Sequence, residues 1–134
     1  MPIDPALAQR FAAIPIFDTL ALRLERADRE AAVLTMPYRK AYDGIFESFH
    51  GGLLMTLADT CACIALLAHI GADARVTTTD MNIRFLAGCY SNATATAKLI
   101  KLGKTLAPAN VDLHDASGTL VAVAQVTYMR LPPR

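Results

Sequence analysis

From Leu53 to Ile70 the chain is almost unbroken apolar sequence, and whatever encloses that stretch decides the fold. Its apolar residues run nearly all the way round a helix rather than along one stripe, so such a helix has no face to give to water. The stretch is long enough to span a bilayer. Yet Asp59 sits within it among Thr56, Thr60 and other small residues, and His50-Gly51-Gly52 opens it, so a buried core helix is the better reading. The chain has 134 residues, which suits one domain over 1–134. Its hydrophobic fraction of 54% is high for that length and points to further apolar surface buried between subunits. A net charge of +1 gives no electrostatic case for nucleic acid or for an anionic membrane.

The start of the helix carries chemistry. Adjacent glycines at 51 and 52 let a ligand approach the backbone N–H groups closely. The first N–H groups of a helix have no partner in the helix and lie at the positive end of its dipole. Together they suit a developing negative charge, such as the oxyanion of an attacked carbonyl. Asp59 lies among Leu57, Ala58, Cys61 and Ala62, where an ionised carboxylate without partners would be costly. A charge kept there is more often chemical than structural. Taken singly, the glycines are also a common loop ending, and His50 also suits a cap. In combination, oxyanion donors and a carboxylate on one helix favour catalysis.

Elsewhere the pattern predicts an α+β fold. Pro5 to Ile14 reads as a short amphipathic helix ended by Pro15, with Leu7, Phe11 and Ile14 on one stripe. Thr19–Leu24 and Ala31–Met36 read as a hairpin joined by the charged run Glu25–Glu30, and Pro37–Ser48 as an irregular connection. The long helix should close near Gly71, with His69 at its negative end. Val76–Leu86, Ser91–Leu102, Lys104–Leu113 and Thr119–Arg130 read as a four-strand meander, with turns at Gly103 and at Asp115–Gly118. Thr94, Thr96 and Lys98 alternate with alanines, as in an antiparallel strand with one face buried. The start, Met1-Pro2-Ile3-Asp4-Pro5, lacks the pattern of a signal peptide. Three cysteines, an odd number, suit reduced thiols and a cytoplasmic setting.

A sheet wrapped round such a helix is the hotdog arrangement, and three blocks resemble the PaaI-like acyl-CoA thioesterases of that superfamily. They are His50-Gly51-Gly52 with Leu57-Ala58-Asp59, then Thr78-Thr79-Asp80-Met81-Asn82-Ile83, then Gly103-Lys104-Thr105-Leu106-Ala107 running into Val111-Asp112-Leu113. The resemblance covers roughly Ser48 to Arg130. It implies hydrolysis of an acyl-CoA, with no cofactor and no metal. Asp59 would be the general base or nucleophile, Gly51 the oxyanion donor, and His50 would polarise the thioester. Thr78 would help hold the water, and Gly52, Asn82 and Lys104 would contact substrate. It also implies dimers, often paired into tetramers. Helix geometry agrees: Gly51 and Asp59 lie ~12 Å apart along the axis, so one carbonyl can meet both only if they come from two chains.

This sequence departs from the family in the loop before the helix. The family often has Asn or Gln six residues before the histidine, where this chain has Gly44, and Glu47 stands in place of a usual small residue or glycine. Gly103-Lys104-Thr105 is no P-loop, because Leu99 occupies the place of the first glycine. Cys61 and Cys63 on a buried helix are expected to be inert. Lys98, Lys101 and Lys104 are candidates for CoA phosphates, although exposed lysines usually only solubilise. Two other functions compete: a hotdog dehydratase or hydratase, and a non-catalytic acyl-CoA-binding module. His50-Gly51-Gly52 with Asp59 fits hydrolysis better than the first, and a retained carboxylate disfavours the second.

Overall fold

The computed structural model describes residues 3–134. An antiparallel sheet curls round one long helix, α3 (Gly51–Ile70), with two short helices, α1 (Pro5–Ala12) and α2 (Pro15–Thr19), packed at one end. The strands are β1 (Arg23–Ala27), β2 (Ala32–Met36), β3 (Arg75–Phe85), β4 (Ala93–Leu99), β5 (Leu106–His114) and β6 (Leu120–Leu131). Their order across the sheet is β1-β2-β4-β5-β6-β3.

The core forms where the two periodicities meet. β5 buries Ala107, Ala109, Val111 and Leu113 in strict alternation, and β4 buries Ala93, Ala95 and Ala97. These small residues let α3 settle close to the sheet with Leu57, Ala58, Cys61, Ala62 and Ile64 fully buried. By length and composition α3 could cross a membrane. Here the strands enclose it instead. Its contacts run chiefly to β2, β4 and β5, so the side facing β3 and β6 is the less covered one. The Cys61 thiol donates to the carbonyls of Ala32 and Ala95, and all three cysteines are free.

Four expectations are corrected. The last four strands are not a simple meander, because only β4, β5 and β6 pair in sequence order. β3 pairs with β6 and forms an open edge. Pro15 does not merely end α1. It takes the first position of α2, where its missing N–H costs nothing. The first strand begins at Arg23 rather than Thr19, because α2 occupies Pro15–Thr19. Glu25, Arg26 and Ala27 lie in β1 rather than in a loop. Charged residues suit that strand because it is the other edge of the sheet, with one face in water. The turn is Asp28-Arg29-Glu30, clamped by the Asp28 carboxylate, which accepts from the N–H groups of Glu30 and Ala31 and from Arg26.

The connection from β2 to α3 is shaped by aromatic packing. Phe49 is buried between Tyr38 and Tyr42, each with its ring centroid 5.9 Å away. Tyr38 donates its hydroxyl to Asp43 at 2.7 Å, and the His50 N–H donates to the Tyr42 carbonyl at 2.8 Å. These contacts fix where the helix begins.

Candidate active site

Asp59 is half-buried on the less covered side of α3, facing β3 and β6. One of its oxygens, Oδ1, accepts two hydrogen bonds: from the Thr78 hydroxyl at 2.7 Å and from the Tyr128 hydroxyl at 2.8 Å. Tyr128 also lies 2.9 Å from the Asp59 carbonyl oxygen. Among the described residues nothing donates to Oδ2. The carboxylate is therefore held by one oxygen while the other is free to act on a reactant. Burial, with the nearby Cys63 and Asp59, pushes the Tyr128 phenol above its ordinary value, so it remains a donor throughout the working pH range.

The aim of Thr78 depends on an irregularity in β3. Thr78 pairs with Tyr128 and Asp80 with Thr127, leaving Thr79 as an extra residue. This bulge switches the alternation midway along the strand. Before it, Thr78 faces the helix. After it, Met81 and Ile83 do, packing on the core. An unbroken strand could not present Thr78 and Met81 to the same side.

At the other end of the site, His50 is the N-cap of α3. Its Nδ1 accepts from the Gly52 N–H at 2.9 Å, which leaves the proton of a neutral ring on Nε2 as an outward donor. Among the described residues no group accepts the Gly51 N–H. It is the unpaired donor nearest the positive end of α3. Gly51, Phe49, Leu54, Phe85, Leu86 and Cys89 line a cavity of about 430 Å³, and the Phe85 ring lies against Gly51. A Cβ there would come within 3.0 Å of that ring.

The structure thus brings Asp59 and Thr78 together, and His50, Gly51 and Gly52 together, as two separate groups of one chain. The Gly52 N–H is already used by His50. Asn82 is not brought to either group. It pairs with Gln125 beyond the bulge and lines a groove of about 790 Å³ on the outer face of the sheet, with Arg84, Lys98 and Asp112. Lys104 is exposed in the β4–β5 connection, whose neighbouring Gly103 and Thr105 carbonyls accept from Arg130. Gly103 is needed there, since a Cβ would run into the Leu106 carbonyl oxygen. Tyr128 was not singled out in the sequence. An aromatic residue in an apolar strand reads as core, and only its pairing with Thr78 shows its second task.

Residues 46–122 match the family model described as the thioesterase superfamily. The chain belongs to the thioesterase superfamily. It is 32% identical to acyl-coenzyme A thioesterase 13 of Mus musculus over 85% of this chain and 84% of that protein. It is 30% identical to the medium/long-chain acyl-CoA thioesterase YigI of Escherichia coli K12 over 87% of this chain and 85% of that one. Among solved structures, a mutant thioesterase from Pseudomonas aeruginosa superposes with a TM-score of 0.87 at 26% identity, covering 98% of this chain and 96% of that one. The E. coli PaaI protein from the phenylacetic acid degradation operon superposes with 0.86 at 22%, covering 94% and 91%. The fold is the hotdog fold of this superfamily, and the protein is a thioester hydrolase.

Proposed function

We propose that the protein hydrolyses acyl-CoA thioesters at a site shared between two copies of the chain, with Asp59 as general base. The observation that carries this is the one-sided anchoring of Asp59: Oδ1 is held by Thr78 and Tyr128, while none of the described residues donates to Oδ2. A carboxylate so placed takes a proton from water as the water attacks the thioester carbon. The Gly51 N–H, unpaired and at the positive end of α3, receives the oxyanion, and His50 Nε2 donates to the carbonyl or to the departing sulfur. The thiol of CoA leaves as the tetrahedral intermediate collapses to the acid. CoA as the carrier rests on the two relatives named as acyl-CoA thioesterases.

Sharing follows from length. Gly51 and Asp59 lie ~12 Å apart along one helix, too far to meet on one carbonyl. β3 is an open edge strand beside Asp59, with Phe85 and Leu86 about half exposed at its end and Phe46 protruding nearby. A second copy seated there would cover apolar surface and bring its Gly51 towards Asp59. The test is thioester turnover by Asp59→Asn, measured as CoA thiol released. A folded variant slower by at least about two orders of magnitude is expected. Turnover equal to that of the parent would remove Asp59 from the chemistry.

A further inference from the structure

Thirteen cations against twelve acids leave the chain nearly neutral, but the two signs are unevenly placed. Three segments meet at the end of the sheet where β4 and β6 finish and β5 and β3 begin. There Leu106 pairs with Met129, Arg75 pairs with Leu131, and the Ile100 N–H donates to the Pro108 carbonyl. That end gathers Arg10, Arg75, Lys101, Lys104, Arg130 and Arg134. Across residues 70–76, 99–106 and 129–134 the only acid is Asp73. Among the described residues every salt bridge involves Arg23 or Arg26 of β1, so these six cations have no anionic partner. Where their guanidinium groups donate, they donate to neutral carbonyls: Arg10 to Ala72 and Ala74, Arg75 to Pro132, and Arg130 to Gly103.

The same end exposes apolar side chains. Ile100, Leu102 and Leu106 are each about half exposed in and beside the β4–β5 connection, interleaved with Lys101 and Lys104. We infer that this end of the molecule docks on an anionic lipid surface. Ile100, Leu102 and Leu106 enter the headgroup layer, and the cations around them meet its phosphates. Cations alone would equally suit the phosphates of a soluble ligand. Three large apolar side chains set among them gain nothing from phosphate, but they gain by leaving water in a bilayer. The connection lies across β6 from the β3 edge, so the second copy proposed above sits on another side. The surface is also close to Asp59. Thr78 follows Arg75 by three residues and Tyr128 precedes Arg130 by two, ~10 Å and ~7 Å along extended strands. Under the thioesterase reading, on which this last step rests, the protein draws its acyl-CoA from the bilayer on which it sits.

The experiment is cosedimentation with vesicles of phosphatidylcholine alone and of phosphatidylcholine with about one quarter phosphatidylserine. The wild type should bind the anionic vesicles and scarcely bind the neutral ones. Its affinity should fall at least about tenfold between about 0.1 M and about 1 M salt. Lys101→Glu combined with Arg134→Glu should weaken binding at least about twentyfold, since each cation near such a surface adds about fivefold. Ile100→Ser combined with Leu102→Ser, both at exposed positions, should weaken it at least about tenfold. Circular dichroism checks that both variants are folded. A wild type that ignores anionic vesicles would overturn the inference, as would binding that either pair of substitutions leaves unchanged. So would a charge-reversed variant whose only change is a raised KM for butanoyl-CoA, the result expected if the cations hold CoA phosphates. In turnover, the Ile100→Ser, Leu102→Ser variant should be at least about fivefold slower on palmitoyl-CoA held in anionic vesicles. On soluble butanoyl-CoA it should stay within about twofold of the wild type. Equal losses on both would overturn supply from the bilayer. A wild type that releases thiol from neither substrate would overturn the thioesterase reading and leave the vesicle result standing.

Discussion

At the scale of single residues, the site depends on which oxygen of Asp59 is tied down. Tyr128→Phe removes a buried donor from Oδ1 and leaves Thr78 alone to orient the carboxylate. We expect kcat to fall about tenfold with KM little changed, and stability to fall by about 1–2 kcal/mol. Steady-state kinetics and thermal unfolding check the two parts. The loop before the helix gives a second case. A Cβ on Gly44 would meet His50 Cδ2 at 3.5 Å, an ordinary contact, and the Gly44 backbone is not in the left-handed region. Gly44→Asn can therefore place an amide beside the His50 ring, and kcat on a good acyl-CoA should rise by about tenfold. An unchanged kcat in the folded variant would mean that the loop already supplies the donor. Asp59, Gly51 and His50 can be singled out as candidates in the sequence because residue type and helix position suggest their chemistry. Tyr128 cannot, because nothing local distinguishes a buried phenol that packs from one that also donates.

At the scale of elements, the irregular features were hidden and the regular ones were not. Alternation in β4 and β5 and the limits of α3 could be read directly, since periodicity and caps are local. The bulge at Thr79 could not. Thr78 and Asn82 are four apart, so an unbroken strand would put them on one face, and both were expected at the site. The extra residue sends Asn82 to the opposite face. Glu47 is another local irregularity: its φ of 59° lies in the left-handed region, where a glycine would carry no penalty. Glu47→Gly should leave stability unchanged or raise it by up to about 1 kcal/mol, as read by denaturant unfolding. The β1–β2 turn predicts a pH effect. Arg26 and the N–H groups of Glu30 and Ala31 hold the Asp28 carboxyl down to about 2, from 3.8. Because the folded value is the lower one, this stabilisation is present above about pH 4 and is lost as pH falls towards 2. Asp28→Ala should melt below the parent at pH 7 and converge with it near pH 2.

At the scale of the whole molecule, the position of β3 matters most, and it was misread from sequence because consecutive strands usually pair. As an edge beside Asp59, β3 has one side unpaired, where the proposed second copy would sit. The high apolar content already pointed to buried surface between subunits, though composition does not say which face. The most direct test of a shared site is subunit mixing. Gly51→Pro removes the N–H at the first helical position, where proline is tolerated, and the extended backbone of His50 suits a following proline. Alone it should lose about two to three orders of magnitude in kcat. Asp59→Asn alone should be similarly inactive. After exchange at equal amounts, half of the dimers are mixed and each has one of its two sites intact. Activity should then recover to about one quarter of wild type. Mixed dimers, shown to form by native mass spectrometry, that remain as inactive as their parents would contradict the shared site.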